Sequence, residues 1–578
     1  MRKLIFYSRA IDGIDDQNYS KFYEWNFDPN NGFLGRDYGK SLDSLKSFSE
    51  KESFYLEKLY EKFLKKTVSN LNAYHRVNEK EKNWEIIIGP WLRVCLFGFY
   101  ERWQAVNKIS RIENVSIITE KFSLTNIVTE DFEDFTNKFY EELWNAQVYT
   151  IMCHLKKITV ETKLKAAKIK KQKKIKTFYL KDVFFIFFHR FLFFLFNMPK
   201  FFKDHKFIAL INIPGSLNIG FNLIKKKSSF PLILNREFNH ISNNKINSLS
   251  RIKPLAKIVS KENLSFEDFI GDLLWMVMPK SYLEDFADIS YKAKQKLKRV
   301  RLMNIVSSSQ HWFNDFLKIW IFHKKINDPK IKTSIWQHGG TYGFSKVITH
   351  QEYIETKVFD RFYSWGWGEN KKNIFPMTVL PKILKRNKSK SISNKNQILI
   401  ILTRVKTYSK GDPWDSEEWN IDYMNQLMKF SNLANSKKKK ISFRLNPSSM
   451  ASINLKTFLR TNDFIDLNKD KSLNEAISNS DIVVITQNST ALIQSFYANK
   501  PTILFWNERL NGIRIEAKEE FQMLISAGIF MSDFKEISSF FDKDKNEIQK
   551  WWNSSEVQRS VKSFLNLYAS NKENIFFK

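Results

Sequence analysis

The sequence predicts an α/β fold built on parallel sheets, and three observations lead to that class. First, 43% of the 578 residues are hydrophobic and 15% are aromatic, which indicates a globular chain with core for two or three domains. Second, short apolar runs recur beyond residue 396, separated by helical or loop stretches, as in a doubly wound sheet. Third, these runs are bounded by polar residues, which is typical of strands buried on both faces. The runs are Gln397–Leu402, Ile441–Leu445, Asp463–Leu467, Asp481–Thr486 and Pro501–Trp506.

The elements nearer the N-terminus are predicted from the same patterns. Lys3–Ser8 predicts a first strand, and Leu42–Leu71 carries apolar residues at helical spacing, so we expect a long amphipathic helix there. Glu85–Ile88 is predicted as a short buried strand that Gly89 and Pro90 end, before an aromatic helix begins. Further strands are predicted at Lys206–Ile213 and Val300–Ser308, and at the start of the segments Ile331–Gly343 and Asp360–Gly368.

Part of the formal net charge of +32 is concentrated in one unusual segment, residues 156–202. Ten lysines and one acid lie in residues 156–176, and ten phenylalanines follow in residues 183–202. The second stretch is about as long as a membrane span, but His189 and Arg190 near its centre disfavour a spanning helix. Two interpretations stay open: a helix buried in the N-terminal domain, or an in-plane helix on an anionic membrane surface.

A basic and polar stretch at residues 381–396 is the best interdomain linker in the sequence. We therefore expect an N-terminal α/β domain in residues 1–380, with the Lys-rich and Phe-rich segment near 156–202 as an insertion. A C-terminal Rossmann-like domain that ends in helices would occupy residues 397–578.

The segment Ser480–Asn507 is predicted to form a strand, a polar loop, a helix, a turn and a second strand. The first turn of a helix leaves N–H groups unpaired at the positive end of the helix dipole. Ser489 and Thr490 add hydroxyl groups at that point, so a phosphate is the expected guest. The alternative is an ordinary α/β unit that binds nothing at this loop.

Two arginines follow other strands of the same predicted sheet. Arg404 comes after Gln397–Leu402, and Arg444 ends the strand Ile441–Leu445. Guanidinium groups bind phosphate through paired N–H donors. Either arginine alone would be unremarkable, but together with the Ser-Thr helix start they predict a phosphate clamp.

A glycine-bearing loop follows the strand that begins at Ile331, and it contains His338. This histidine would lie at the carboxyl end of a parallel sheet, where α/β proteins bind ligands. His311, after the Val300–Ser308 strand, has a similar placement and a weaker case. A lone histidine is more often structural than catalytic, so that alternative stays open. The loop residues beside His338 are Gln337, Gly339 and Gly340, whose glycines allow close approach of the backbone.

Other classes of protein lack support in the sequence. No P-loop, dinucleotide-binding glycine motif, zinc-protease motif or paired-cysteine motif is present. Asp542 and Asp544 form an Asp-x-Asp pair, but no strand precedes it, so we interpret it as solvated surface and expect no metal and no cofactor. The two cysteines, Cys95 and Cys153, fit a reducing cytoplasm. The basic run lacks interleaved aromatic residues, so nucleic-acid binding is not expected.

Four blocks of the sequence form a joint pattern. They are NWEIIIGPWL at 83–92; SSSQHWFNDFLKIWIF at 307–322 with TSIWQHGGTYG at 333–343; DRFYSWGWG at 360–368; and the run from DIVVITQNST at 481–490 through NKPTILFWN at 499–507 to GIFMS at 528–532 and WWNSSEVQ at 551–558. The pattern is similar to a transferase family encoded in bacterial O-antigen and surface-polysaccharide gene clusters. The resemblance covers most of the chain outside residues 109–299, and the segment 156–202 resembles an insertion.

The histidine in the glycine loop and the Ser-Thr helix start also resemble, more distantly, features of GT-B enzymes. These include capsule Kdo transferases, sialyltransferases and polyglycerol-phosphate polymerases. Many of them carry a His-Pro pair at the end of a strand in the C-terminal domain, and this sequence has Asn446 and Pro447 there. The role of that histidine therefore does not carry over directly to Asn446.

The resemblance implies a GT-B-like fold, in which two Rossmann-like domains face each other across a cleft. The N-terminal half would bind the acceptor and the C-terminal half a nucleotide-sugar donor. The reaction would transfer a sugar to a glycan or lipid-linked acceptor of O-antigen or capsule synthesis, without a metal. In this interpretation the donor phosphate contacts Arg404, Arg444, Asn446, Ser489 and Thr490. His338 is the first candidate for the base or a phosphate contact, and Glu352 and Glu355 are the fallback carboxylates.

Such an enzyme would work in the cytoplasm, at the inner face of the cytoplasmic membrane if residues 156–202 contact anionic lipid. Two other classes stay open. A sugar-nucleotide epimerase of the same fold would turn over the donor without any acceptor. A non-catalytic polysaccharide-assembly protein would keep the fold and tolerate the loss of His338.

Overall fold

The fold is described from a computed structural model of the chain. The residues that it describes are 2–5, 19–21, 25–28, 32–36, 45–112, 115–164, 206–213, 216, 219–220, 223, 230–234, 238, 244–252, 264–298, 300–369, 371–378, 397–412, 415–436, 440–446 and 466–570.

The described strands form three parallel sheets and one hairpin. They are β1 (Arg2–Ile5), β2 (Tyr19–Lys21), β3 (Trp25–Asp28), β4 (Gly32–Arg36), β5 (Val115–Glu120), β6 (Thr159–Leu164), β7 (Phe207–Ile211), β8 (Phe230–Leu234), β9 (Leu302–Ser307), β10 (Lys332–Trp336), β11 (Arg361–Ser364), β12 (Ile374–Pro376), β13 (Gln397–Ile401), β14 (Lys440–Arg444), β15 (Asp466–Leu467), β16 (Ile482–Ile485) and β17 (Thr502–Leu504).

The described helices cover the sheets and fill the space between them. They are α1 (Glu50–His75), α2 (Glu81–Ile109), α3 (Leu124–Ile127), α4 (Phe132–Lys138), α5 (Glu142–Leu155), α6 (Ser248–Ile252), α7 (Phe266–Val277), α8 (Phe286–Gln295), α9 (Gln310–Phe313), α10 (Asp315–Asn327), α11 (His350–Lys357), α12 (Glu417–Ser436), α13 (Leu473–Asn479), α14 (Thr490–Tyr497), α15 (Lys518–Ser526), α16 (Phe534–Phe540), α17 (Lys545–Trp552) and α18 (Ser555–Tyr568). Within the part of the chain that is described, none of these helices combines the length and the apolar character needed to cross a membrane.

The first sheet has the order β2-β1-β5-β6, and its three strand pairings are parallel. The hairpin of β3 and β4 is antiparallel. The predicted N-terminal strand is therefore present, with slightly different bounds. The predicted long helix also forms, as α1, which begins with a capping box between Ser49 and Glu52.

The second sheet has six parallel strands in the order β12-β11-β10-β9-β7-β8. The chain runs from β7 outward to β8, and then returns to the other side of β7 and continues through β9 to β12. Each strand in the centre of this sheet is apolar and buried, as the sequence pattern predicted.

The third sheet has five parallel strands in the order β15-β14-β13-β16-β17. Ile398 in the central strand pairs with Ile441 on one side and Ile482 on the other. After β13, the strands β14 and β15 are added on one side of it, and β16 and β17 are then added on the other side. The carboxyl ends of β13 and β16 therefore form a topological switch point, the place where open α/β sheets bind ligands.

The α/β class with parallel sheets is confirmed, and so are the strands predicted around residues 206–213, 300–308, 331–336, 360–364 and beyond residue 396. The linker predicted at 381–396 and most of the segment 156–202, including all its phenylalanines, lie outside the described residues. The domain division at 380 stays a prediction, and the described part of residues 1–380 contains two of the parallel sheets.

The strand predicted at Glu85–Ile88 is wrong, because this segment belongs to helix α2. The helix packs against α1, α5, α7, α10 and α11, so apolar side chains are buried on every face of it. A continuous apolar run does not distinguish a strand buried on both faces from a helix buried all round. Pro90 lies inside the helix, where it removes one N–H donor without ending the helix.

Candidate functional site

A cavity opens at the switch point of the five-stranded sheet. Its volume is about 480 Å³, and it lies at the carboxyl ends of β13, β14 and β16, beside the start of α14. The lining residues described are Ile401, Leu402, Thr403, Arg444, Leu445, Asn446, Lys471, Ser472, Leu473, Gln487, Ser489, Thr490, Ala491 and Gln494. This set contains two cations and no carboxylate, so the cavity favours an anionic guest.

Four of the five predicted donor-phosphate residues line this cavity: Arg444, Asn446, Ser489 and Thr490. Arg444 donates from Nη1 to Asn468 Oδ1 at 2.9 Å and to the backbone carbonyl of Asp470, which fixes its position. Lys471 is the second cation of the lining, and it was not among the residues predicted from the sequence. Lys471 lies in a charged loop before α13. Its position shortly after a strand of the same sheet is the one sequence signal that could have indicated a role in phosphate binding.

Arg404, the fifth residue of the predicted clamp, does not line the cavity. Its side chain is exposed, and its guanidinium lies over the ring of Tyr140 at 5.8 Å. Lys406 donates to the hydroxyl of the same tyrosine at 3.0 Å. The structure therefore groups Arg404 with Tyr140, between α4 and α5, and leaves it out of the cavity lining that contains Arg444.

The start of α14 presents free backbone donors to the cavity. Ser489 is the N-cap in an extended conformation, and its hydroxyl makes no capping bond to the helix. The first N–H groups of the helix and this hydroxyl are therefore available to an anion at the positive end of the helix dipole. Asn488, directly before the cap, is fully buried and donates to Ser345 Oγ at 3.0 Å and Asn511 Oδ1 at 3.1 Å.

The glycine loop after β10 contacts this helix start directly. The N–H of Gly340 donates to Thr490 Oγ1 at 3.0 Å. A Cβ atom on Gly340 would lie 2.7 Å from Thr490 Cα, so only glycine permits this approach of two backbones. Thr490 accepts this bond through its oxygen, and its own O–H proton stays free to donate to a ligand in the cavity.

Gln337 holds the base of the same loop. Its side chain is fully buried; its Nε2 donates to the carbonyl of Gly339 at 2.7 Å, and its Oε1 accepts from Trp365 N at 2.9 Å and Trp367 Nε1 at 2.8 Å. These three bonds occupy the amide inside the protein. The residue was predicted to lie in a substrate loop, and the structure places it as a support of that loop.

His338 lies at the carboxyl end of β10 and is 20% exposed, with a buried Nδ1 atom 3.8 Å from Glu355 Oε1. Since Nδ1 is buried, the exposed fraction of the side chain belongs to its other atoms. Burial lowers the pKa of His338, and the Glu355 carboxylate acts in the opposite direction. A hydrogen bond with the backbone of Ser308 also acts to raise this pKa, and the neighbouring His311 acts to lower it. Because burial is the largest effect, the imidazole is neutral at pH 7.

Glu355 and His311 are both completely buried behind His338. His311 Nε2 lies 2.9 Å from Glu355 Oε1, and His311 Nδ1 lies 3.3 Å from Ser307 Oγ. Burial raises the pKa of Glu355 to about 7, while His338 and Tyr342 act to lower it. Burial also lowers the pKa of His311 to about 3, and the Lys318 ammonium acts in the same direction. The sequence placed Glu355 just beyond the His338 loop and His311 after a different strand, and it did not indicate that His311 and Glu355 touch.

Glu352 forms a different contact, although it lies one turn before Glu355 on α11. Its Oε1 lies 2.9 Å from Arg514 Nη2, and Arg514 Nε donates to the carbonyl of Ser345 at 2.9 Å. Burial raises the pKa of Glu352, and the Arg514 guanidinium opposes this effect. Glu352 therefore ties the glycine loop to the C-terminal half of the chain.

Metal ligands are not grouped in the part of the chain that is described: no three His, Cys, Asp or Glu residues are placed to hold an ion together. The Asp542 and Asp544 side chains are exposed, and Asp544 caps α17. The expectation that this protein needs no metal and no cofactor stays a prediction.

The family model of the LIC12162 family transferase matches residues 40–576 of this chain. No curated protein matches the chain. Among solved structures, the wall teichoic acid polymerase TagF is similar with 10% identity and a TM-score of 0.31, over 68% of this chain and 92% of that one. The glycosyltransferase SnogD from Streptomyces nogalater is similar with 8% identity and a TM-score of 0.31, over 64% and 96% of the two chains. MurG from Acinetobacter baumannii is similar with 8% identity and a TM-score of 0.30, over 63% and 99%.

Proposed function

This chain belongs to the LIC12162 family of transferases, and we propose that it transfers a sugar from a nucleotide-sugar donor to a surface-polysaccharide acceptor. The donor would bind in the cavity of the five-stranded sheet, and the acceptor on the side of the six-stranded sheet, in a GT-B-like arrangement. The observation that carries this proposal is the contact between Gly340 and Thr490. It brings the His338 loop of one sheet to the edge of a positively lined cavity on the other.

The donor phosphate would be held by charge and by oriented donors. Arg444 and Lys471 supply two positive charges, and the start of α14 supplies backbone N–H groups and the hydroxyls of Ser489 and Thr490. Charge-assisted hydrogen bonds to phosphate are about twice as strong as neutral ones. The same groups would stabilise the negative charge that develops on the departing nucleotide.

The acceptor hydroxyl needs a base, and His338 is the best placed of the three candidates. Glu355 is fully buried and Glu352 is paired with Arg514, whereas His338 is neutral and partly exposed. In this mechanism the acceptor proton passes to His338 as the acceptor oxygen attacks the anomeric carbon. The nucleotide then leaves with the electron pair of the broken bond.

Three finer features of the proposal come from the sequence. The acceptor would be a glycan or lipid-linked intermediate of O-antigen or capsule synthesis in a bacterial cytoplasm. Residues 156–202, with their lysines and phenylalanines, would hold the protein at the anionic inner face of the membrane. The positive groups of the cavity would replace a metal ion, so chelators should leave transfer unchanged.

The donor site is tested by calorimetric binding of CMP-, UDP-, GDP- and dTDP-sugars to the purified protein. We expect one of them to bind, and Arg444→Ala and Lys471→Ala each to weaken it about tenfold through loss of one charged contact. Arg404→Ala is the matched control, because it removes an arginine outside the cavity lining and should change affinity less than twofold. If no nucleotide sugar binds, or if Arg404→Ala weakens binding as much as Arg444→Ala, the assigned site is wrong.

The reaction is tested by supplying the bound donor with extracts of lipid-linked glycan and measuring product. We expect His338→Ala to keep donor affinity and to lose at least 10²-fold in transfer rate. Turnover of the donor in the absence of an acceptor would instead indicate an epimerase. Donor binding without any turnover would leave the chain as a non-catalytic assembly protein.

A further inference from the structure

A completely buried carboxylate lies between two imidazoles behind the exposed face of the candidate site. Glu355 Oε1 is 2.9 Å from His311 Nε2 and 3.8 Å from His338 Nδ1. Glu355 and His311 have no exposed surface, whereas His338 is 20% exposed. The three side chains come from α11, α9 and the loop after β10, so they meet only in the folded protein.

The hydrogen bonds determine which nitrogen of His311 carries the proton. Burial and the Lys318 ammonium keep the ring neutral, with a pKa of about 3. Glu355 can act only as an acceptor when it is ionised, and the hydroxyl of Ser307 can donate. The tautomer that satisfies both neighbours has Nε2–H donating to Glu355, and Nδ1 accepting from Ser307 Oγ. His311 therefore presents a fixed N–H donor to the carboxylate.

We propose that His311 and Glu355 are positioning residues for His338: His311 orients the Glu355 carboxylate, and this carboxylate faces the buried Nδ1 of His338 across 3.8 Å, close enough to pair with it once the ring is charged. This inference rests on the proposed function, since it assigns His338 the role of base. When His338 accepts the proton of the acceptor hydroxyl, its ring becomes positive and its Nδ1–H faces Glu355. The buried carboxylate then compensates a charge that the low-dielectric surroundings would otherwise oppose.

Few other groups can provide this compensation. Glu355 is the carboxylate within 4.0 Å of His338 among the described residues. The hydroxyl of Tyr342 lies beside the Glu355 carboxylate, and Glu352 is close enough for a weaker electrostatic effect. Lys318, on α10, acts on His311 but is itself paired with Asp315 at 2.7 Å. His311 acts against a positive charge on His338, and a hydrogen bond with the Ser308 backbone favours it. Glu355 is thus the largest of the neighbouring groups that oppose the effect of burial on His338.

The proposal predicts a characteristic pH dependence of the transfer rate. In the wild type, kcat should rise with pH around a midpoint near 7, as Glu355 ionises. Glu355→Gln keeps the shape of the side chain but cannot ionise, so kcat should fall about 10²-fold and the rise near pH 7 should disappear. Because Glu355 does not line the donor cavity, the Kd of the Glu355→Gln variant for the nucleotide sugar should equal that of the wild type.

The role of His311 is tested by a pair of variants. His311→Leu removes the N–H donor to Glu355, which should move the rise in kcat about one pH unit upward. His311→Gln retains an N–H donor and should return the profile towards that of the wild type. His323→Gln is the matched control: His323 is also a buried histidine, but its Nε2 bonds to Ser290 Oγ and not to Glu355, so its replacement should leave the profile unchanged.

The possible failures are distinguishable from one another. If the wild-type protein binds no nucleotide sugar or forms no product, both the proposed function and this inference are wrong. If transfer requires His338 but Glu355→Gln keeps the wild-type pH profile, only the inference is overturned. If His311→Gln behaves like His311→Leu while both bind donor normally, the N–H donor of His311 has no positioning role.

Discussion

At the scale of single residues, burial gives Glu355 and His311 properties that their residue types do not have in water. The carboxylate has its pKa raised to about 7 and the imidazole has its pKa lowered to about 3, because both charged forms lose hydration. Glu352, one helical turn away, keeps a guanidinium partner instead. Two glutamates that the sequence treats as equivalent therefore have different roles: one faces the histidines and the other fastens a loop.

The raised pKa of Glu355 makes a prediction about stability. Between pH 4.5 and about 7, the Glu355 carboxyl is protonated in the folded protein but ionised in the unfolded chain. The free energy of unfolding should therefore fall as the pH rises through this range. Glu355→Gln removes this loss. We expect its Tm to gain about 2–4 °C on the wild type between pH 5 and pH 8, measured by calorimetry.

Two results of that measurement would count against this interpretation. A constant difference in Tm between the two proteins at all pH values would mean that Glu355 titrates near its ordinary pKa. A difference that grows towards acid pH would reverse the sign and would indicate a carboxylate stabilised by its neighbours.

At the scale of elements, the start of α14 and the glycine loop after β10 form one unit, although they lie 150 residues apart. The helix start follows from a strand, a polar loop and N-cap residues that are adjacent in the sequence, so local patterns were sufficient to predict it. Its partner was not predictable in that way. In helix α2 the local pattern was misleading: the apolar run at its start predicted a strand, but the segment is a helix buried among other helices.

Gly340 and Gly339 give a matched test of this contact. A Cβ on Gly340 would meet the Cα of Thr490 at 2.7 Å, which is backbone and cannot rotate away. A Cβ on Gly339 would meet the ring of Tyr342 at 3.2 Å, where a small shift of a side chain is sufficient. We expect Gly340→Ala to separate the loop from the helix and to lower the transfer rate at least tenfold, whereas Gly339→Ala should stay within about threefold.

Donor affinity and transfer should be measured for both variants in the same preparation. Equal rates for the two alanine variants would show that the close approach at Gly340 is not needed for the reaction.

At the scale of the whole molecule, the halves of the chain are joined by more than the candidate site. Arg514 donates its backbone N–H to the carbonyl of Phe344, Ser345 and Ile513 form a β-bridge, and Ser570 donates to the carbonyl of Trp365. The loop after β10 is thus held from the C-terminal side by backbone bonds. Helix α2 also reaches this side, because Arg102 donates to the carbonyl of Ser409 at 2.6 Å.

Arg102 is the most connected of these links and predicts a large effect on stability. Its fully buried guanidinium also donates to Asn145 Oδ1 at 2.6 Å, to Gly98 O at 2.8 Å and to Phe139 O at 3.1 Å. Arg102→Met would leave buried acceptors without donors, so we expect a loss of about 3–5 kcal/mol in the free energy of unfolding in urea. Lys65→Met, on the exposed face of α1, is the control and should change stability by less than about 0.5 kcal/mol. A loss below about 1 kcal/mol for Arg102→Met would contradict this account.

The sequence by itself determined the fold class and most of the elements. Apolar runs bounded by polar residues identified four of the six strands of one parallel sheet and all five strands of another. N-cap residues identified the helix start at Ser489, because these signals depend on neighbours along the chain. Four of the five residues predicted to hold a phosphate do line one cavity, since parallel strands bring their carboxyl ends to the same edge.

Only the tertiary structure decided which of these residues meet across the two sheets. It grouped Arg404 with Tyr140, put Lys471 beside Arg444, and set the Glu355 carboxylate between two histidines from different elements. The physical reason is that such contacts depend on how sheets and helices pack. Local sequence patterns do not predict which residues far apart in the chain come into contact. Burial, which sets the charge state of Glu355 and His311, is likewise a property of the folded molecule.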